Sequence, residues 1–279
     1  MITYPQIDPV IFSLGPLAVR WYGLMYVLGF IAAYFLVRYQ FRRHPRPWGA
    51  AFDRHLDNLF MALIVGLIIG SRLGYVLFYN LSYYLQQPLE IFATWQGGMS
   101  FHGGLLGLLL AGWLFCRHHK LDFWHGADAF AVAAPIGLGL GRLGNFINGE
   151  LYGRVSDVPW AMVFPGGGPL SRHPSQLYQA LLEGLLLFVI MWLALHRYYW
   201  PRNWPAGRLT ALFLAGYGGL RFLAEFFRQP DAQLGFFFGF FTMGQLLCAL
   251  MIAAGALLWW RITPATDNRQ LSGERNNDR

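Results

Sequence analysis

The chain reads as an all-α, polytopic membrane bundle of about seven transmembrane helices, and three observations carry that reading. Of its 279 residues, 56% are hydrophobic and only 13% charged, whereas an average soluble domain is about 25% charged. Apolar stretches of the roughly 20 residues needed to cross a bilayer recur along it. Its basic residues gather in alternate connections between those stretches, the pattern that sets membrane orientation.

Taken in order, the apolar segments fall at 20–38, 57–78, 98–116, 128–148, 177–196, 208–227 and 240–260. The third is rich in glycine, and the fourth is interrupted by Arg142, Asn145 and Asn148. No basic n-region precedes the first, and Pro5, Asp8 and Pro9 come early, so no signal peptide is expected at the N-terminus. Fourteen Arg and Lys residues sit in the 38–54, 117–120 and 197–208 connections and the C-terminal stretch. Only Arg20, Arg154, Arg172 and Arg228 occupy the other side. The N-terminus is therefore expected to be periplasmic and the C-terminus cytoplasmic. Residues 1–262 are expected to form one transmembrane domain, and 263–279, polar and without an apolar period, a disordered cytoplasmic tail.

The same distribution argues against nucleic acid as a partner. The net charge is +7, but it is dispersed over short loops and not concentrated on one face. Cys116 and Cys248 offer neither a disulfide framework nor a metal-ligand spacing. No Walker loop, G-x-S-x-G elbow or HExxH occurs, so no metal, no cofactor and no nucleophile of the chain's own is expected.

Three basic residues remain, Arg72, Arg142 and Arg221, and all lie inside apolar segments. In this topology each stands roughly 20 Å up its helix from the cytoplasmic end, at 1.5 Å per residue. Set against Glu183 and Glu225, they leave an excess of positive charge that an anionic ligand would balance. A guanidinium presents a planar fork suited to phosphate and cannot lose its charge. Arg221 has a second reading, a structural pair with Glu225 one turn on; Arg142 has no acid at that spacing. Gly137, Gly141 and Gly144 give the fourth segment a small-residue face, for helix packing at Gly137 and for close headgroup approach around Arg142. Asn145 suits either a lipid oxygen or an interhelical hydrogen bond. Tyr22, Tyr26 and Tyr217 are placed to donate to the same anion, although Tyr22 and Tyr26 also fit an aromatic belt.

Outside the helices, two polar motifs open segments. In Gly97-Gly98-Met99-Ser100-Phe101-His102-Gly103-Gly104 the histidine is the candidate general base, or else an interfacial anchor. Arg172-His173-Pro174-Ser175-Gln176-Leu177-Tyr178 leads into the fifth segment, stiffened by proline, with Ser175 available as a cap.

Together these motifs resemble bacterial prolipoprotein diacylglyceryl transferases. The resemblance rests on Gly141 to Glu150, Arg20 to Tyr26, Gly97 to Gly104, His173 to Tyr178, Tyr217 to Phe222, Glu225 to Asp231 and Met243 to Gln245, and covers about residues 5–260. It implies a multi-pass enzyme of the bacterial inner membrane with its site toward the periplasm. Such an enzyme moves the diacylglyceryl group of phosphatidylglycerol onto the lipobox cysteine thiol of a preprolipoprotein signal peptide. A thioether forms and glycerol phosphate leaves. Residue by residue, the family's essential arginines match Arg142 and Arg221, its candidate base His102, and its supporting residues Tyr22, Asn145, Glu150, Gly153 and Tyr217. Tyr26, Asn148 and Glu225 complete the expected lipid-binding set. Two features depart from the family pattern: Gln179 stands where many members have glutamate, and the stretch from Phe164 to Arg172 is short.

The expected mechanism follows. Arg142 and Arg221 clamp the phosphate while the substrate thiol, with an ordinary pKa of about 8.5, attacks the glyceryl carbon. Either His102 takes the thiol proton, or the electropositive site lowers the thiol pKa unaided. A lipid or anion transporter would also gather arginines within a bundle and is the alternative of another class; absent repeats and the lack of an acidic relay weigh against it.

Overall fold

A backbone in hydrocarbon must satisfy its N–H and C=O groups within the segment, so apolar runs of this length become helices. The computed structural model describes residues 2–5, 7–15, 17–44, 46–229 and 241–262; the expected tail at 263–279 lies outside them. Helices occupy all seven apolar segments: α1 (Trp21–Arg43), α2 (Pro47–Tyr79), α4 (Phe101–His118), α5 (Phe123–Ile147), α6 (Ser175–Tyr199), α7 (Arg208–Glu225) and α8 (Met243–Arg261), with a short α3 (Leu81–Gln86). α1, α2, α5, α6 and α8 are long and apolar enough to cross a membrane, whereas α4 and α7, of 18 residues each, are not among them. α2 begins at Pro47, ten residues ahead of its apolar stretch, because helical backbone continues through Asp53, Arg54 and Asp57. Proline at a helix start costs nothing, since its missing N–H would be unpaired there anyway. One addition to the all-α expectation is a hairpin of β1 (Val10–Leu14) and β2 (Leu17–Arg20), turned at Gly15 with φ +58°.

The chain divides into two compact units, one of Met1–Val37 with Ala127–Arg279, the other of Arg38–Gly126. The second is built on α2 against α4. Gly70 and Gly74 of α2 meet Gly107 and Gly103 of α4 so closely that a Cβ at either would lie 2.7 Å from the facing Cα. Small residues let helix backbones touch, which is the main source of association where lipid competes equally for apolar side chains. Near the start of α2, Phe41 stacks on Phe52 at 4.8 Å and Asp53 receives Arg38 and Arg42 at 3.4 and 3.1 Å. Near its end, Arg72 donates to the carbonyls of Glu90, Ile91, Ala93, Gly97 and Gly98 at 2.6–3.3 Å and lies 5.1 Å from the Tyr84 ring.

In the first unit, α5 and α6 meet at Gly139 and Gly184, where a Cβ on Gly184 would lie 2.7 Å from the Gly139 Cα. α7 and α8 meet likewise, Gly255 against the Ala211 carbonyl. Buried Asp128 of α5 caps α7 from a distance, accepting from Gly207 N, Thr210 N and Thr210 Oγ1 at 2.7–2.8 Å. α8 opens with a capping box of Thr242 and Gln245. Between α5 and α6 the chain is irregular, held by antiparallel bridges of Gly153 with Arg228 and of Arg172 with Val155 and Met162. Tyr4, Met162 and Phe164 form its apolar centre, with Phe146 and Tyr152 packed against it.

Candidate active site

α5, α6 and α7 of the first unit carry their charged residues to one place. At Ala180–Leu186 α6 widens into π-type winding, a local distortion that recurs at functional sites, and Glu183 sits within it. Glu183 is fully buried and takes two guanidiniums at once: Arg142 Nη2 at 3.4 Å and Arg221 Nη1 at 3.2 Å. Arg221 also reaches Glu225 at 3.0 Å, one turn along α7, and Glu225 in turn meets Arg228 at 3.6 Å. Thr242 Oγ1 donates to the same Glu225 carboxylate at 3.2 Å. Charges taken out of water persist only when paired and hydrogen-bonded. Three guanidiniums and two carboxylates, alternating, satisfy that condition and keep a positive excess. Arg142, whose side chain is 19% exposed, makes only the one long contact with Glu183 among the hydrogen bonds of the described residues. Most of its fork is therefore free to receive an anion, which it could hold in bidentate fashion.

Glu150 forms a second centre in this unit. Its carboxylate accepts from Asn145 Nδ2 at 2.8 Å and Asn148 Nδ2 at 3.2 Å, and its carbonyl from Gln176 Nε2 at 2.6 Å. Tyr22 packs on Gly144, where a Cβ would lie 3.0 Å from its ring, and its hydroxyl is 2.9 Å from that of Tyr26. Tyr217, one turn before Arg221, feels the charges of Glu183, Arg221 and Arg142.

Of the residues singled out in the sequence, the structure brings Arg142, Arg221, Tyr217 and Glu225 into the first constellation, and Asn145, Asn148 and Glu150 into the second. Arg221 pairs with Glu225, as its second reading expects, and also joins Glu183. Arg72 belongs to the Arg38–Gly126 unit, where its donors go to five carbonyls, and the third guanidinium of the charged network is Arg228. Gly153 has a packing role, because a Cβ there would meet the Phe227 carbonyl and, at 2.7 Å, the His173 Cβ. His102 stands in the Arg38–Gly126 unit, exposed in the first turn of α4 and edge-on to Phe101 at 5.7 Å.

Sequence reasoning missed the bridging role of Glu183; its signal was a lone acid in an otherwise apolar 177–196 segment. It also missed a directed chain from Trp160 through Tyr178 to His173. Indole N–H can only donate, so Trp160 Nε1 donates to Tyr178 Oη at 2.6 Å. Tyr178 then has its own proton for His173 Nδ1 at 3.0 Å. Burial pushes the His173 pKa below the ordinary histidine value, in keeping with a neutral ring that accepts at Nδ1.

Apolar helices enclosing a shared carboxylate and its guanidiniums define the class: a multi-pass membrane protein with a polar, electropositive site inside its fold. Comparison with known proteins narrows this. A model of the family described as prolipoprotein diacylglyceryl transferase matches residues 9–261. The phosphatidylglycerol–prolipoprotein diacylglyceryl transferase of Desulfotalea psychrophila is 58% identical over 263 residues, covering 93% of this chain and 95% of its own length. The protein of the same name from Geobacter sulfurreducens is 59% identical, covering 90% and 94%, and that of Pseudomonas paraeruginosa 53%, covering 93% and 96%. The chain belongs to the prolipoprotein diacylglyceryl transferase family and is a transferase. The transporter reading falls with that finding.

Proposed function

We propose that the chain transfers the diacylglyceryl group of phosphatidylglycerol to the lipobox cysteine of a preprolipoprotein signal peptide, the first step of lipoprotein maturation. The observation that carries the mechanism is that one buried carboxylate, Glu183, holds both Arg142 and Arg221. Glu183 fixes the two forks; Arg142, the more open, binds the lipid phosphate with Arg221 behind it. The substrate sulfur attacks the glyceryl CH2 that bears the phosphate. A C–S bond forms as the C–O bond breaks, and the electron pair leaves on glycerol phosphate, whose charge rises from −1 to −2. Guanidiniums fixed in a site of low dielectric stabilise that developing charge with no reorganisation. His102 accepts the thiol proton, which then passes to solvent or to the released phosphate.

In this reading seven helices span the bacterial inner membrane, with the N-terminus periplasmic, the C-terminus cytoplasmic and the site open toward the periplasm. The loop arginines favour that orientation by the positive-inside rule. Tyr22, Tyr26, Asn145, Asn148, Glu150 and Tyr217 line the lipid's path, with Gly153 keeping the backbone beside it closely packed. The test incubates purified protein with phosphatidylglycerol and a reduced lipobox peptide, following peptide mass and released glycerol phosphate. Equal amounts of diacylglyceryl-peptide and glycerol phosphate are expected, and loss of both in Arg142→Ala. Undiminished turnover in that variant overturns the phosphate clamp.

A further inference from the structure

The least satisfied polar group near this site is one the mechanism above does not use. Gln179 is 1% exposed, and neither its amide nitrogen nor its amide oxygen has a hydrogen-bond partner among the described residues. A buried amide without partners is costly, and native proteins keep few of them. Its position is informative. Gln176, Gln179 and Glu183 recur at helical spacing and share one face of α6. Gln176 is anchored on the Glu150 carbonyl at 2.6 Å, and Glu183 on Arg142 and Arg221. Gln179 thus stands one turn from the Glu150 centre and one turn from the guanidinium pair.

Two further groups, Gln176 one turn away on α6 and Asn148 on the Glu150 carboxylate, are unsatisfied in the same sense. Gln176 Oε1 and Asn148 Oδ1 are also buried without a donor. With Gln179 they make three orphan acceptors and one orphan donor, Gln179 Nε2. A vicinal diol serves that set, since its two hydroxyls supply donors for two of the three acceptors and oxygens to accept from Nε2. An ammonium headgroup matches it poorly: it has no acceptor for Nε2 and brings another positive charge toward three guanidiniums.

We propose that Gln179 is the residue that recognises the hydroxyl groups of the lipid headgroup, donating to and accepting from the glycerol that departs with the phosphate. The inference rests on the diacylglyceryl-transfer reading and adds to it a determinant of headgroup specificity. The preference for phosphatidylglycerol over equally charged lipids without hydroxyls is then set on α6, apart from the phosphate clamp.

The experiment measures kcat/KM of the purified full chain, with a lipobox peptide, on phosphatidylglycerol and on phosphatidylpropanol, which has the same charge and no headgroup hydroxyl. Wild type is expected to prefer phosphatidylglycerol by about tenfold or more. Gln179→Met, similar in shape and apolar, is expected to lose about tenfold on phosphatidylglycerol while staying within about twofold on phosphatidylpropanol. Gln179→Glu, which still accepts from hydroxyls, is expected to retain most of the preference. Equal loss on both lipids in Gln179→Met, with an unchanged melting point, makes the residue a packing element and overturns the inference; so does no loss on either. A wild type that transfers readily from both lipids without preference overturns it while leaving the transferase reading intact. A wild type inactive on both overturns the transferase reading itself.

Discussion

Arg72 and Arg142 are guanidiniums held within helices, and they differ in what their surroundings leave over. Arg72 is 5% exposed and donates to five backbone carbonyls of the segment between α3 and α4. Those carbonyls lie in or beside two short 3-10 turns, Pro88–Phe92 and Thr94–Gln96, and that of Glu90 also accepts the Ala93 N–H. Its charge is neutralised by dipoles spread around the whole fork, and the contact set is closed. Arg142 instead faces one carboxylate at 3.4 Å, and that carboxylate is shared with Arg221. A saturated arginine holds a fold, whereas one restrained from a single side is available to a ligand. Depth in the sequence does not separate the two cases; the chemistry of the acceptors does.

The sharpest way to break this comparison is a pair of matched substitutions. Arg142→Lys keeps the charge but loses the fork, and turnover with phosphatidylglycerol is expected to fall about a hundred- to a thousandfold with little change in melting temperature. Arg72→Lys brings three donors to five acceptors. It is expected to cost stability, about 2 kcal/mol for each charged hydrogen bond lost, while the protein that remains folded turns over within about threefold of wild type. Turnover assays and thermal melts of both variants in one detergent decide it. Loss of stability in Arg142→Lys and loss of turnover in Arg72→Lys would reverse the assignment.

Glu183→Gln sharpens the comparison from the carboxylate side. Breaking a buried ion pair by removing one partner costs about 3–5 kcal/mol, and here two guanidiniums lose the same counter-charge. An anionic headgroup can replace part of it. Phosphatidylglycerol is therefore expected to raise the melting temperature of Glu183→Gln by more than it raises that of wild type. An equal shift in the two proteins would mean that the lipid phosphate does not share the guanidiniums with Glu183.

The legible part of the molecule was what periodicity and charge counting can reach. All seven apolar segments became helices, and Arg142, Asn145 and Glu150 were visible because polar groups interrupt an apolar run. The illegible part consists of partners set by tertiary structure. Arg72 looked like Arg142 because the carbonyls that saturate it belong to residues 90–98, and backbone acceptors leave no mark in a sequence. Glu183 was noticed as an acid but not as a bridge, since the approach of α5 to α6 through Gly139 and Gly184 brings its partners to it. The glycines of α4 marked their segment as glycine-rich, but their meeting with those of α2 was not foreseen. Their spacing is plain, but which glycine face meets which is decided by the fold.

The smallest expected effect belongs to His44 and separates stability from turnover by pH. His44, between α1 and α2, accepts from the Arg46 backbone N–H at its Nδ1 at 3.1 Å and lies 3.8 Å from the Trp48 ring. Burial first, then the charges of His125 and Arg46, pushes its pKa down to about 4 from the ordinary value of about 6.5. The folded protein therefore favours the neutral ring, and the unfolded chain takes up a proton more readily. This contribution to stability is complete above about pH 6.5, declines as pH falls from there to about 4, and then levels off. His44→Asn keeps an oxygen to accept from Arg46 and does not titrate, so its melting temperature should decline less than that of wild type over this range. Melts of the two proteins at pH 7 and pH 4.5 give the difference, and parallel declines would remove His44 from the account. Because His44 is none of the residues assigned to lipid or thiol, its titration should appear in the melts, with the relative turnover of the two proteins at pH 7 unchanged.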